Sequence, residues 1–150
     1  MLFSHEKFAK LSIGWNERPL TEADFYRLCR RHKVTVQELS LRVSGFYYSL
    51  LGGHYIAIDS KLPARKKLFV MFHEFAHFLM HVPDQKNATA SYHGVGHQTR
   101  KEREADIFAL VALIPRSWLT SRTADDIIAD EGVTPDELAA RFSLFETHGV

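Results

Sequence analysis

Apolar residues recur along most of this chain at the three-and-four spacing of helices that bury one face, and in one region they crowd into runs that suit strands. Residues 3–12 carry a weak helical pattern ending near Gly14. Thr21-Glu-Ala-Asp24 has the side chains of a helix start, and Phe25, Leu28, Cys29 and His32 then fall at i, i+3, i+4 and i+7, the inward stripe of a helix over 21–32. Val34 to Ser40 reads like the opening of a helix-turn-helix, but no recognition helix follows. Instead Gly45 to Leu51 is aromatic and apolar, Gly52-Gly53 is a two-residue turn, and His54 to Ile58 is a second strand-like run, which together predict a β-hairpin.

Asp59, Ser60 and Pro63 introduce a helix over about 63–81, and Pro83 follows its end. Leu68, Phe69, Val70, Met71, Phe72, Phe75, Phe78, Leu79 and Met80 cover every direction of its wheel, so this helix is buried. Residues 82–98 form a long polar loop. A strongly helical stretch over 99–113 is stopped by Pro115. A short turn at 116–121, a helix near 123–131 closed by Gly132, and a helix from Pro135 with Thr134-Pro-Asp-Glu137 as its capping box complete the chain. The pattern is that of one mainly helical α+β domain, residues 1–150, with a small antiparallel sheet or hairpin packed on the buried helix.

Composition narrows the function classes more than the fold. With 45% hydrophobic and 25% charged residues over 150 positions, the chain has the make-up of an ordinary globular protein. A formal net charge of +1 gives no reason to expect direct nucleic-acid binding or attraction to an anionic membrane. Arg27, Arg30, Arg31 and Lys33 read as the solvated side of their helix. The single cysteine, Cys29, excludes an intramolecular disulfide and reads as a small buried apolar residue. The start of the chain is too charged for a signal peptide and no run is long enough to span a membrane, so a cytoplasmic protein is expected.

The buried helix carries the chemistry. His73-Glu74-Phe75-Ala76-His77 is an HExxH sequence, and four-residue spacing puts both imidazoles on one helix face, where two nitrogens can reach one Zn²⁺ at about 2.0–2.1 Å. Glu74 lies about 100° round the helix, the place of a general base beside the metal, not of a third ligand. Left without partners on a buried helix, these groups would cost about 1–3 kcal/mol each, which a metal removes.

His81 lies about 12 Å along the axis from His73, too far for both to hold one ion. A metzincin would need Gly at position 80 and His at 83, where this chain has Met80 and Pro83. The third ligand therefore comes from elsewhere. In the helix after the loop, Glu102, Ala105, Asp106 and Ala109 share a face whose two alanines allow close approach, while Glu104 points the other way. Glu102 is the preferred third ligand, Glu104 the next, and His93 or His97 the remaining choices. Asp106 is placed to bond the far nitrogen of a ligating histidine. Tyr92, His93 and His97 are the available donors for an oxyanion, and the strand at 54–58 is an edge to which an extended peptide can add.

His73-Glu-Phe-Ala-His77-Phe-Leu-Met-His81, followed by Glu102-Arg-Glu-Ala-Asp-Ile-Phe-Ala-Leu-Val-Ala-Leu-Ile-Pro115, resembles the paired motifs of the ImmA/IrrE metallopeptidases over roughly residues 20–145. Ala76 stands where that family often has Gly, and Met80 where it usually has Leu. The resemblance implies a gluzincin-like α+β fold and zinc-dependent cleavage of a peptide bond in a protein substrate, in the family's characterised members a helix-turn-helix repressor. Two other readings remain open at this point: a metal-containing regulatory binding module, and a zinc hydrolase acting on a small non-peptide substrate.

Overall fold

A computed structural model describes residues 5–81, 91–92 and 99–150. They belong to two compact units, one of Thr21–Ala109 and one of Met1–Leu20 with Leu110–Val150. The fold is mixed α+β and mainly helical. Its elements in order are α1 (His5–Ala9), α2 (Glu22–Arg31), β1 (Val34–Leu39), β2 (Gly45–Leu50), β3 (Gly53–Asp59), α3 (Ala64–His81), β4 (Ser91–Tyr92), α4 (Arg100–Leu113), α5 (Arg116–Ser121), α6 (Ala124–Glu131) and α7 (Pro135–His148).

In the unit Thr21–Ala109 a sheet of order β1-β3-β2-β4 packs against α3, with α2 beside β1. The expected hairpin is present, but the sheet is mixed and not purely antiparallel, because β1 pairs parallel to β3 while β2 pairs antiparallel to β3 and β4. The segment between β1 and β2 is held by Asp59, whose carboxylate accepts from the Leu41 N–H at 3.1 Å and from Lys61 Nζ at 2.8 Å. β1 hides its strand character in the sequence: Val34 and Val36 share a face with Glu38, an exposed acid near the strand's end that looks like the surface of a helix. Glu38 is satisfied there by Lys67 of α3 at 3.0 Å and by the Tyr26 hydroxyl of α2.

The hairpin turn sits one residue earlier than expected, at Leu51-Gly52 and not at Gly52-Gly53. Both turn residues have positive φ, +51° and +81°, as a type I′ turn requires. This register sets Tyr48 opposite Tyr55, with their rings stacked at 4.9 Å, whereas the later turn would set Tyr48 opposite Ala57. Gly45 is required by packing: a Cβ there would lie 2.8 Å from the Ala57 carbonyl oxygen and 2.8 Å from a methyl of Val70 on α3.

Helix α3 is the axis of this unit's core. Val70, Met71, Phe72, Phe75 and Ala76 are fully buried, Phe72 packs edge-on against Phe25 of α2, and both Phe72 and Phe75 face Phe108 of α4.

In the other unit the predicted capping box at Thr134 and helix end at Gly132 are present, and the structure adds a cap at Thr123. Thr134 and Glu137 form a capping box at α7, Thr123 caps α6, and Gly132 closes α6 with φ +71°. Residues 116–121, expected as a turn, form the short helix α5, entered through Pro115. The expected first helix over residues 3–12 is helical over His5–Ala9 and so ends earlier than expected, while residues 3–4 lie outside the described residues. Arg141 of α7 is wholly buried and donates to Ile114 O at 2.6 Å, Val150 O at 2.9 Å and Asn16 Oδ1 at 3.0 Å.

Because the Gly45 site has backbone on one side and a core methyl on the other, Gly45→Ala is expected to destabilise the protein by about 1–3 kcal/mol. Urea unfolding followed by circular dichroism measures this, and an unchanged midpoint would show that β2 can move away from α3 freely.

Candidate metal centre

Three ionisable residues of α3 point into the protein: His73 and Glu74 are 0% exposed and His77 is 3% exposed. Helix α4 meets them with its first turn. Thr99 accepts the Glu102 N–H at 3.1 Å and so starts the helix, and Ala105 and Ala109, both fully buried, supply the small-residue face foreseen for it. Thr99 and Glu102 have capping-box spacing, yet the Glu102 carboxylate reaches across to α3. One oxygen lies 3.0 Å from His73 Nε2 and the other 2.8 Å from His77 Nε2. Glu104 instead faces Arg100, at 3.8 Å.

The two Nε2 atoms are 3.3 Å apart, and one ligand atom from each of His73, His77 and Glu102 lies within 4.8 Å of the others. Two nitrogens bound tetrahedrally at 2.0–2.1 Å would be separated by about 3.3 Å, so the spacing suits one ion of zinc's size. The donor set of two imidazoles and a carboxylate is the kind that leaves a fourth position open. On the far side of His73, Nδ1 lies 2.8 Å from an Asp106 oxygen, one helical turn beyond Glu102.

Glu74 stands apart from this set. Its nearer oxygen is 3.9 Å from His73 Nε2, and neither oxygen makes a well-formed hydrogen bond among the described residues, although the Tyr47 backbone of β2 lies close enough to favour the ionised form. Burial is the largest influence on Glu74; it outweighs the attraction of His73 and raises the pKa to about 8, with Glu102 and Asp106 adding to the rise. For His73 burial acts against the cation, but the hydrogen bonds to Asp106 and Glu102 and the charge of Glu74 prevail and lift it to about 9. Burial likewise opposes ionisation of Glu102, yet its two histidine partners hold it well below the ordinary carboxylate range. The pocket is thus built to stabilise positive charge at the point where the three ligand atoms meet.

A model of the Peptidase M78 family, the IrrE N-terminal-like domain, matches residues 29–146. The chain belongs to this family. No curated protein and no solved structure matches it. The M78 match and the His–His–Glu cluster together mark a metal-dependent peptidase domain. Among the described residues no helix is long and apolar enough to cross a membrane.

Other expected features of the M78 site fall differently. His81 is the last residue of α3. Tyr92 is described as a residue of β4, while His93 and His97 lie outside the described residues. Strand 54–58 offers no open edge, because β3 is the interior strand between β1 and β2; the strand beside Glu74 is β2, paired on its outer side with β4 at Phe46 and Tyr47. The roles of Thr99 and of the Tyr47 backbone had no sequence signal beyond the capping-box spacing of Thr99.

One divalent ion per chain is expected, read by native mass spectrometry. His73→Ala and His77→Ala should each lose it, and Glu102→Gln should weaken binding far more than Glu104→Gln. Equal losses from the two glutamate variants would remove Glu102 from the site.

Proposed function

We propose that this chain is a zinc-dependent endopeptidase in which His73, His77 and Glu102 hold the metal and Glu74 is the general base. The observation that carries this reading is the meeting of three ligand atoms beside a buried carboxylate that has no structural task of its own. Zinc, when bound, acidifies a water and polarises the scissile carbonyl. Glu74 takes the proton from the attacking water and delivers it to the leaving amine as the C–N bond breaks. Asp106, with an oxygen 2.8 Å from His73 Nδ1, is the group that would accept the Nδ1–H and so keep Nε2 free of a proton and aimed at the ligand point.

The substrate proposed is a helix-turn-helix repressor or a similar regulatory protein, cleaved in the cytoplasm. Support for the substrate comes from the resemblance of the paired motifs to ImmA/IrrE peptidases. Cys29, a buried free thiol, is in keeping with a reducing compartment. A purely structural metal site would use four protein ligands and would have no need of Glu74.

Glu74→Gln tests the chemistry apart from the scaffold. The variant should fold and keep its zinc while cleavage of a co-expressed repressor, followed by blotting, falls by about 10²–10⁴-fold. Equal biological activity from wild type and variant would favour a binding module. Asp106→Asn should weaken zinc binding by about 10–100-fold, measured by competition with a chromogenic chelator. Unchanged affinity there would leave Asp106 with no part in orienting His73.

A further inference from the structure

Within the unit formed by Met1–Leu20 and Leu110–Val150 there is a cavity of about 680 Å³, in the size range of small-molecule sites, whose lining includes Phe8, Ser12, Trp15, Asn16, Glu17 and Arg116. Its chemistry is unlike that of a simple surface depression. Asn16 has a single side-chain oxygen, and that oxygen already accepts twice, from the Arg116 backbone N–H at 2.9 Å and from Arg141 Nη2 at 3.0 Å. Both donors can be met only by Oδ1, so the orientation of the amide is settled and its NH₂ group is the part left to act as a donor.

Behind Asn16 lies the wholly buried Arg141, held by Ile114 O, Val150 O and Asn16 Oδ1. Burial, and then the neighbouring charge of Arg116, pull its pKa down to about 10. Arg116 itself lies over the Phe145 ring, with a 3.4 Å contact to Gly149 O, and has no carboxylate partner among the described residues. The Arg116 guanidinium therefore lines the cavity without a side-chain counter-ion among the described residues.

Glu17 lines the same cavity and likewise has no cationic partner among the described residues. Phe8 and Trp15, with ring centroids 4.8 Å apart, provide an apolar stretch of lining. A cation, an amide donor, an anion and an aromatic pair around one cavity match a molecule that is both acid and amine and carries an apolar group.

We propose that this cavity binds a small zwitterion, a free amino acid with an apolar side chain, its carboxylate on Arg116 and the Asn16 amide and its ammonium on Glu17. A lone anion would meet Glu17 as a like charge, and a lone amine would meet Arg116. The zwitterion satisfies both walls at once. This site does not depend on the peptidase reading and stands or fails separately from it.

The test uses the full chain with its metal and L-phenylalanine as probe, with 3-phenylpropionate and phenethylamine as the acid-only and amine-only controls. The indole N–H signal of Trp15 is followed by NMR and told apart from that of Trp118 by Trp118→Phe. L-Phenylalanine should give a saturable shift, and each control should bind about tenfold or more weakly, the usual consequence of losing one charged hydrogen bond. Arg116→Gln, which leaves the backbone bond to Asn16 in place, should weaken L-phenylalanine by about tenfold. Glu17→Gln, on an exposed residue, should abolish the advantage of L-phenylalanine over 3-phenylpropionate without changing the melting temperature. Absence of a saturable shift, equal binding of all three probes, or indifference to Glu17→Gln would each overturn the proposal.

Discussion

Helix α3 has to carry two imidazoles and a carboxylate through the driest part of its unit, and the arrangement around it answers that constraint. Phe72, Phe75 and Phe108 exclude water from one side. The remaining polar atoms must be met by groups delivered from other elements, and α4 supplies them as Glu102 and Asp106 on a face kept narrow by Ala105 and Ala109. Larger residues at those two positions would hold the acids too far off to reach the histidines. The sheet behind α3 is drawn close for the same reason, with Gly45 letting β2 come into contact at Val70.

How much of this was legible depended on whether the relevant pattern is local. HExxH spacing places its own side chains, because four residues on a helix is one turn, and the alanine face of α4 let the wheel separate Glu102 from Glu104. Caps at Thr21, Thr134 and Gly132 were readable for the same reason. β1 was not readable: Glu38, on the same face as Val34 and Val36, breaks the alternation, and only Lys67 and Tyr26, distant in sequence, explain why an acid stands there. Nor was the interior place of β3, since its parallel partner lies beyond β2 in sequence and no turn signal announces such a pairing. The position of the turn was decided by a cross-strand contact, Tyr48 on Tyr55, against the plain preference for glycine at both turn positions.

The chain buries charge in two ways. At the metal centre ionisable groups of opposite sign are gathered round one point, so that each shifts the others and the set has a common purpose. Arg141 is handled by spreading its donors over a carbonyl after α4, a carbonyl after α7 and the side chain of Asn16, three segments far apart in sequence. One buried side chain thereby fixes the geometry of three chain segments.

Glu102 stands in the opening turn of α4, where a helix has the fewest backbone bonds to hold it. The ligand atom and the start of the helix are thus one mechanical object. An ion held by Glu102, His73 and His77 would clamp that turn shut, and fraying of the turn would open the clamp, so occupancy of the centre and winding of the helix end would form a single two-way equilibrium.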